Sequence, residues 1–226
     1  MTGEVDVLAV MDAVLWEDVF KTFGSCHSTL LGAFVQAWNR SAKDRFALES
    51  GCSPTKGHAG SHFCDAILCN GDYANPTPIG ILEVEGKPFP KQKLESDEPA
   101  RTIFERMRSY WFPVGEKAQY FRYFGNLSFA VLIVYPFGPD DGKYAETEEK
   151  VLSEGRAFLE RVKDARPDFR LFAVVVHKCK ERSIEGSIRL NPYYQGTISK
   201  VEWFEITRAG TRPETRNGKV NPLAVG

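Results

Sequence analysis

The chain has 226 residues, of which 42% are hydrophobic and 26% charged, and its formal net charge is −1. This length suits one hydrophobic core, and the composition is typical of a soluble globular protein. A net charge near zero argues against a protein that coats nucleic acid non-specifically. No apolar run reaches the roughly 18–20 residues that cross a bilayer, and residues 1–6 lack the positive charge of a secretion signal. We therefore predict an intracellular, cytoplasmic protein without a membrane span.

Two helices come first in the predicted order of elements. Apolar residues at helical spacing predict a helix over Asp12–Phe23, which Gly24 ends. The same spacing predicts a second helix from about Ser28 to Glu49. A Gly- and Pro-containing loop follows at residues 51–57.

Two strands then form a predicted hairpin. Residues 62–70 are short and apolar, like a central strand, and residues 79–87 make the next strand. Turn residues at 70–72 and 75–78 predict a long loop between them. Two helices, a strand, a helix and two strands complete the chain, over residues 100–111, 116–124, 127–137, 145–165, 169–177 and 200–208.

This order of elements predicts an α/β protein with a mixed sheet. The sequence shows no internal repeat and no clear linker, so we predict a single domain over residues 1–226. The segment from about residue 210 is rich in Pro, Gly, Arg and Asn, and is predicted to be loosely ordered.

The five cysteines bear on redox chemistry and on metal binding. Their odd number argues against a disulfide framework, and the absence of a Cys-x-x-Cys pair argues against a zinc ribbon. Four of them could hold an iron–sulfur cluster, which leaves an iron–sulfur protein as a minor alternative. Cys64 and Cys69 lie in an apolar segment and are more typical of buried thiols. The cysteines are Cys26, Cys52, Cys64, Cys69 and Cys179.

Three charged residues share one face of the second predicted strand. Side chains alternate along a strand, so Glu83, Glu85 and Lys87 point the same way, and Leu82 and Val84 point to the other face. Burying these charges unpaired would be costly. Either this face meets solvent and carries cross-strand ion pairs, or it lines a polar cleft.

Asp65 is the only charge in the apolar segment 63–68 of the preceding strand. If the two strands are antiparallel neighbours, Asp65 can lie near Glu85, and the two carboxylates then need a cation or Lys87 between them. Oxygen ligands of this kind suit Mg²⁺ or Mn²⁺, which polarise a phosphate oxygen and lower the pKa of a bound water. The alternative is a buried aspartate that binds the backbone.

Asp65, with Glu85-Gly86-Lys87 on the next strand, resembles the motif of the PD-(D/E)XK nuclease superfamily, although Cys64 stands where that motif begins with proline. The resemblance implies a restriction-endonuclease-like three-layer core, with a mixed central sheet flanked by helices. It implies that Asp65, Glu85 and the backbone carbonyl of Gly86 bind the metal, and that Lys87 is the catalytic lysine. Glu83 is a secondary acid that could serve a second ion or orient the first.

Further positions match the RecB-like branch of this superfamily. Gln119 and Tyr123 have the spacing of its Gln-x-x-x-Tyr motif, so the resemblance implies that both lie at the catalytic site. An ordinary amphipathic helix explains the same two residues equally well. Many members also supply an acidic residue or a histidine from an N-terminal helix or the approach to the first strand. Glu17 is the preferred candidate here, and the others are Glu49, His58 and His62.

The resemblance implies a Mg²⁺- or Mn²⁺-dependent deoxyribonuclease that hydrolyses DNA phosphodiester bonds. DNA is then the partner, and a homodimer is allowed by analogy, because cutting two strands needs two sites. The alternative is a non-catalytic nucleic-acid-binding or assembly subunit that retains the nuclease fold, which the net charge of −1 modestly favours. Whether the basic residues near the C-terminus contact nucleic acid is left open; they are Arg208, Arg212, Arg216 and Lys219.

Overall fold

The computed structural model describes residues 5–16, 26–49, 64–86, 102–105, 107, 127–135, 144–178, 198–209 and 214–219. The helices in these residues are α1 (Val7–Asp12), α2 (Cys26–Ser41) and α3 (Tyr144–Val162). The strands are β1 (Arg45–Glu49), β2 (Ala66–Asp72), β3 (Asn75–Glu85), β4 (Phe129–Val134), β5 (Arg170–Lys178), β6 (Ile198–Ile206) and β7 (Arg216–Lys219). No helix in the described part of the chain is long and apolar enough to cross a membrane.

All seven strands belong to one mixed sheet, in which they lie side by side in chain order. The first three strands are antiparallel neighbours. β4 lies parallel to β3, and β5 lies parallel to β4. β6 and β7 continue the sheet as antiparallel strands. The predicted α/β class, with a mixed sheet flanked by helices, is therefore confirmed.

Each face of the sheet carries its own hydrophobic core. On the first face, α1 and α2 pack against Leu82 and Val84 of β3 and their neighbours on β4 to β6. On the second face, α3 and the helical residues around Ile103 pack against Ile81 and its neighbours. The predicted alternation along β3 is therefore confirmed, and β3 separates the two cores.

The first two predicted helices have different limits in the structure. A helix was predicted to begin at Asp12, but α1 ends there. It begins at Val7 because the Asp6 side chain caps it by accepting a hydrogen bond from the Ala9 amide at 3.0 Å. Of the rest of that predicted helix, residues 13–15 are not helical, and residues 17–23 lie outside the described residues. The prediction of a helix up to Glu49 is wrong, since α2 ends at Ser41 and β1 follows.

Contacts of Trp38 explain the end of α2. The Ser41 hydroxyl donates to the Trp38 carbonyl at 2.7 Å, a local bond that competes with further helical turns. The Trp38 indole N–H donates to the Phe46 carbonyl at 3.0 Å, and the Arg45 guanidinium lies 5.0 Å from the centre of the Trp38 ring. These contacts hold β1 beside the helix that precedes it.

The predicted long loop between the first two strands is also wrong. β2 and β3 are joined by a two-residue turn at Tyr73 and Ala74, and the strand pairing runs through residues 75–78. Pro76 and Pro78 fit in this stretch because β4 begins opposite Gly80, so the described sheet has no β4 partner beside them. The two prolines therefore indicated a loop where the structure has a strand.

Two of the C-terminal basic residues have partners within the fold. Arg208 donates to the carbonyls of Leu159, Arg166 and Pro167, and so holds the end of α3. Arg216 lies on β7, inside the segment predicted to be loosely ordered, and pairs with Asp12 at the end of α1.

Candidate functional site

The antiparallel pairing of β2 and β3 places the start of one strand beside the end of the other. Ala66 is paired with Leu82, and the backbone amide of Asp65 donates to the Leu82 carbonyl at 3.1 Å. Asp65, just before β2, therefore lies at the same end of the sheet as Glu83 and Glu85. This end also carries the carboxyl end of the parallel strand β4, where the Tyr135 amide donates to the Glu85 carbonyl at 3.2 Å.

The Asp65 carboxylate binds two protein groups. Its Oδ2 accepts a hydrogen bond from the Val84 amide at 2.7 Å, so the side chain replaces a backbone acceptor at the end of the β2–β3 ladder. Its Oδ1 lies 3.2 Å from His27 Nε2. Asp65 therefore binds the backbone, as in the alternative interpretation, although it is half-buried rather than buried. A carboxylate offers about four lone-pair sites, which leaves room for a cation on the same oxygens.

His27 is a member of this site that the sequence prediction missed. It lies in the first turn of α2, and the packing of α2 on the first face of the sheet brings its imidazole to Asp65. The hydrogen bond to Asp65, together with the charges of Asp65 and Glu85, raises the His27 pKa above its ordinary value, and burial opposes this shift. The site therefore has a negative potential that favours cations.

A histidine from an N-terminal helix was among the expected features, and this signal could have pointed to His27. The predicted helix begins one residue later, at Ser28, and leaves out His27, and the candidates include Glu17, His58 and His62 instead. Those three residues lie outside the described residues.

Glu83 lies at the same end of the β2–β3 pair as Asp65 and Glu85. It is only 5% exposed, and strand alternation places it on the second face of the sheet with Ile81. Burial, followed by the charges of Glu83 and Asp65, raises the pKa of the Cys64 thiol well above its ordinary value. Glu83 is thus a buried acid at this end of the sheet, and its role toward a second ion stays a prediction.

Cys64 and Cys69 are free thiols, and both are buried. Burial raises the pKa of Cys69 to about 11. Metal ligation by cysteine requires the thiolate, which burial disfavours at both positions. The expectation that these two cysteines are buried thiols is confirmed.

Several predicted residues cannot be located in this site. Glu17, Lys87, Gln119 and Tyr123 lie outside the described residues, as does the side chain of Glu49. Gly86 directly follows β3 and is half-buried. Within the residues that the structure describes, no group of three or more His, Cys, Asp or Glu side chains is arranged to hold a metal ion.

The donor types near Asp65 nevertheless suit a divalent ion. Asp65 and Glu85 offer carboxylate oxygens, which suit Mg²⁺ and Mn²⁺. His27 is bound to Asp65, and its raised pKa favours the protonated imidazole, which does not ligate a metal. The Gly86 carbonyl could add an oxygen from the end of β3.

We expect the contact between His27 and Asp65 to make stability depend on pH in metal-free protein. The folded-state pKa of His27 is raised above 6.5, so protonated His27 stabilises the fold below pH 6.5, and this contribution is lost as pH rises through the raised pKa. The pair is partly exposed, so the expected loss is below about 1 kcal/mol.

Urea unfolding in chelator, from about pH 6 to about pH 8.5, checks this expectation. The wild type should lose stability relative to His27→Gln, whose side chain does not titrate. A constant difference between the two proteins across this range would contradict the contact.

Comparison of the chain with protein-family models, with curated proteins and with solved structures gives no match. Its function is therefore inferred from the geometry around Asp65 and Glu85 and from the resemblance of their sequence motif.

Proposed function

We propose that the protein is a Mg²⁺- or Mn²⁺-dependent nuclease that hydrolyses phosphodiester bonds in DNA. The observation that carries this proposal is the position of Asp65 and Glu85 at one end of the antiparallel β2–β3 pair, with His27 beside them. Two carboxylates from neighbouring strands, which share a negative potential, favour a divalent cation between them.

The architecture supports the same proposal. The resemblance implies a mixed central sheet flanked by helices, and the chain has a mixed seven-stranded sheet with helices on both faces. The proposal includes a restriction-endonuclease-like fold, in which Asp65 precedes one strand and Glu85 ends the neighbouring strand. The proposal also includes a homodimer that cuts both strands of a duplex.

Each residue of the site has a distinct role in this proposal. Asp65, Glu85 and the Gly86 carbonyl would hold the ion, and His27 would orient the Asp65 carboxylate from α2. When bound, such an ion polarises a phosphate oxygen and lowers the pKa of a coordinated water. Lys87, two residues beyond Glu85 in the sequence, would position the attacking water. Gln119 and Tyr123 contact the substrate backbone.

Cleavage of single-stranded and double-stranded DNA, with Mg²⁺, Mn²⁺ or chelator, tests the proposal. The wild type should cut only when a divalent ion is present. Lys87→Ala should lower the rate at least about 100-fold, because it removes the group that positions the nucleophile. Lys163→Ala is the matched control, since Lys163 pairs with Glu160 on an exposed surface and should not affect the rate.

Two results would sink the proposal. One is the absence of cleavage of any DNA by the wild type with either ion. The other is equal cleavage by the wild type and Lys87→Ala.

A non-catalytic nucleic-acid-binding or assembly subunit is the second candidate function. It is favoured by the contacts of Asp65, whose two carboxylate oxygens already bind the Val84 amide and His27. Calorimetric titration with Mn²⁺ separates the two candidates. Binding that Glu85→Gln removes supports the nuclease, and the absence of binding to the wild type supports the subunit.

A further inference from the structure

β1 is the edge strand of the sheet. It pairs with β2 on one side, and within the described residues the sheet has no strand beyond it. Strand edges that face solvent in monomers are commonly protected by lysine, proline or a β-bulge. β1 (Arg45–Glu49) contains neither lysine nor proline, and it pairs with β2 without a shift of register. This edge therefore lacks the usual protection against pairing with another strand.

The hydrogen bonds around β1 show which of its backbone groups point to the open edge. The Asp44 carbonyl accepts the Gly71 amide at 2.8 Å, so the backbone at Asp44 faces β2. This direction alternates along an antiparallel strand, so the odd-numbered residues of β1 face away from β2. The Arg45 amide agrees, because it donates to the Ala42 carbonyl, before the strand, at 3.2 Å. The Ala47 amide and carbonyl therefore point to the open edge.

The side chains of β1 are complementary to a second copy of the same strand. Arg45 and Glu49 each stand two residues from Ala47, and their charges are opposite. If two copies pair antiparallel about a two-fold axis at Ala47, Arg45 of each copy lies opposite Glu49 of the other. Phe46 of each copy then lies opposite Leu48 of the other, which makes two apolar pairs. The outward amide and carbonyl of Ala47 bond to those of the second copy.

The other described edge of the sheet lacks this complementarity. β7 (Arg216–Lys219) has four residues, and an antiparallel copy of it would place Arg216 opposite Lys219. Like charges directly opposite each other destabilise a strand pair. Arg216 is also paired with Asp12 of its own chain. Of the two described edges, β1 is therefore the one that fits a second copy.

Apolar side chains of α2 extend the surface at the β1 edge. α1 contacts α2 and β6, and Ala33 of α2 lines a groove with Val14, just after α1. Leu31 and Val35 lie on the other side of the buried Phe34, which is the β1 side, and both are half-buried. A two-fold axis perpendicular to the sheet keeps both α2 helices on one face. These side chains therefore add apolar area beside the axis, which a pair of five-residue strands needs to form a stable interface.

We propose that β1 pairs antiparallel with β1 of a second copy, about a two-fold axis at Ala47, and joins two seven-stranded sheets into one. This inference rests on the homodimer in the proposed function, because it names the surface through which the two copies meet. Glu49 pairs with Ala66, which directly follows Asp65, so the candidate site lies toward the carboxyl end of β1. Because the two strands are antiparallel, the two candidate sites lie toward opposite ends of the joined sheet.

Sedimentation equilibrium in chelator, from about 1 to about 100 μM protein, tests this pairing. The wild type should form a dimer that dissociates on dilution. Arg45→Glu and Glu49→Arg each place like charges opposite each other at both ends of the strand pair, so each should weaken association at least about tenfold. Lys163→Glu is the matched control, because it reverses an exposed charge on α3, and it should associate like the wild type.

An equimolar mixture of Arg45→Glu and Glu49→Arg gives the sharpest result. In a heterodimer of these two chains, opposite charges face each other again at both ends of the strand pair. The mixture should therefore associate about as tightly as the wild type, although each variant alone associates weakly. Arg45 also lies over the Trp38 ring of its own chain, but mixing changes only the contacts between chains.

Three outcomes would overturn the pairing: a wild type that stays monomeric at about 100 μM, equal association of the wild type and Arg45→Glu, or a mixture that stays monomeric. The cleavage assay fails separately. A dimer with these properties but without metal-dependent cleavage rejects only the hydrolysis. Metal-dependent cleavage by a protein whose association is unchanged in Arg45→Glu rejects only the β1 pairing.

Discussion

Replacing Gly80 by alanine is expected to lower the free energy of unfolding by about 3 kcal/mol. Gly80 on β3 is paired with Phe129 on β4, and a Cβ at this position would lie 2.4 Å from two atoms of the Phe129 ring. The ring cannot move aside, because it is buried between Trp38 and Phe172, at centre distances of 5.9 and 6.2 Å. The β3–β4 pair that carries Glu85 would have to separate.

Urea unfolding of Gly80→Ala beside Gly32→Ala checks this expectation. A Cβ at Gly32, on α2, would meet no atom within 4 Å, and alanine favours a helix over glycine by about 1 kcal/mol. Gly32→Ala should therefore be at least as stable as the wild type. Adding Phe129→Leu to Gly80→Ala should cost less than the sum of the two single losses, because the smaller side chain relieves the clash. Wild-type stability in Gly80→Ala would show that the ring is not fixed.

The central strands and the long helix could be predicted from the sequence because burial on both faces leaves a local pattern. Residues 129–134 and 171–176 form continuous apolar runs, as expected of strands covered on both faces. α3 follows the apolar period of its amphipathic face to within three residues at either end. The mixed sheet could then be inferred from the order of the elements.

β1 could not be predicted in the same way. Phe46 and Leu48 prolong the apolar set of the preceding helix, so the local pattern indicates one long helix. What separates the two elements is the contact of Trp38 with the Phe46 carbonyl and the pairing of β1 with β2. Both are tertiary interactions, and tertiary interactions routinely override local helix propensity.

The candidate site was also predicted only in part, because some of its residues give a local signal and others depend on tertiary contacts. Asp65 and Glu85 were identified because each is a charge within an apolar strand, which is a local signal. Their expected proximity depends on the antiparallel pairing of β2 and β3, and the structure has this pairing. The contact of His27 with Asp65 depends on how α2 packs on the sheet. The hydrogen bond from the Val84 amide to Asp65 depends on how the β2–β3 ladder ends. No local sequence pattern contains this information.

The contact of Asp65 with the backbone and its proposed metal ligation can be separated by substitution. Asp65→Asn keeps a side-chain oxygen that can accept from the Val84 amide but removes the negative charge, so it should cost less than about 1 kcal/mol in stability. Asp65→Ala leaves the Val84 amide without that acceptor and should cost about 2 kcal/mol. Both variants should lower Mn²⁺ affinity at least about 100-fold, because both remove a ligand charge. Large loss of metal binding with small loss of stability in Asp65→Asn is the signature of a metal ligand.

Calorimetric titration with Mn²⁺ and urea unfolding in chelator measure the two effects independently. Asp168→Asn is the matched control, because Asp168 is an exposed aspartate outside the site, and it should change neither quantity. If the wild type binds Mn²⁺ and Asp65→Asn binds it equally well, Asp65 serves the fold alone and another residue must pair with Glu85. If Asp65→Asn loses as much stability as Asp65→Ala, the contact with His27 depends on the charge, and the carboxylate was retained for the stability of this end of the sheet.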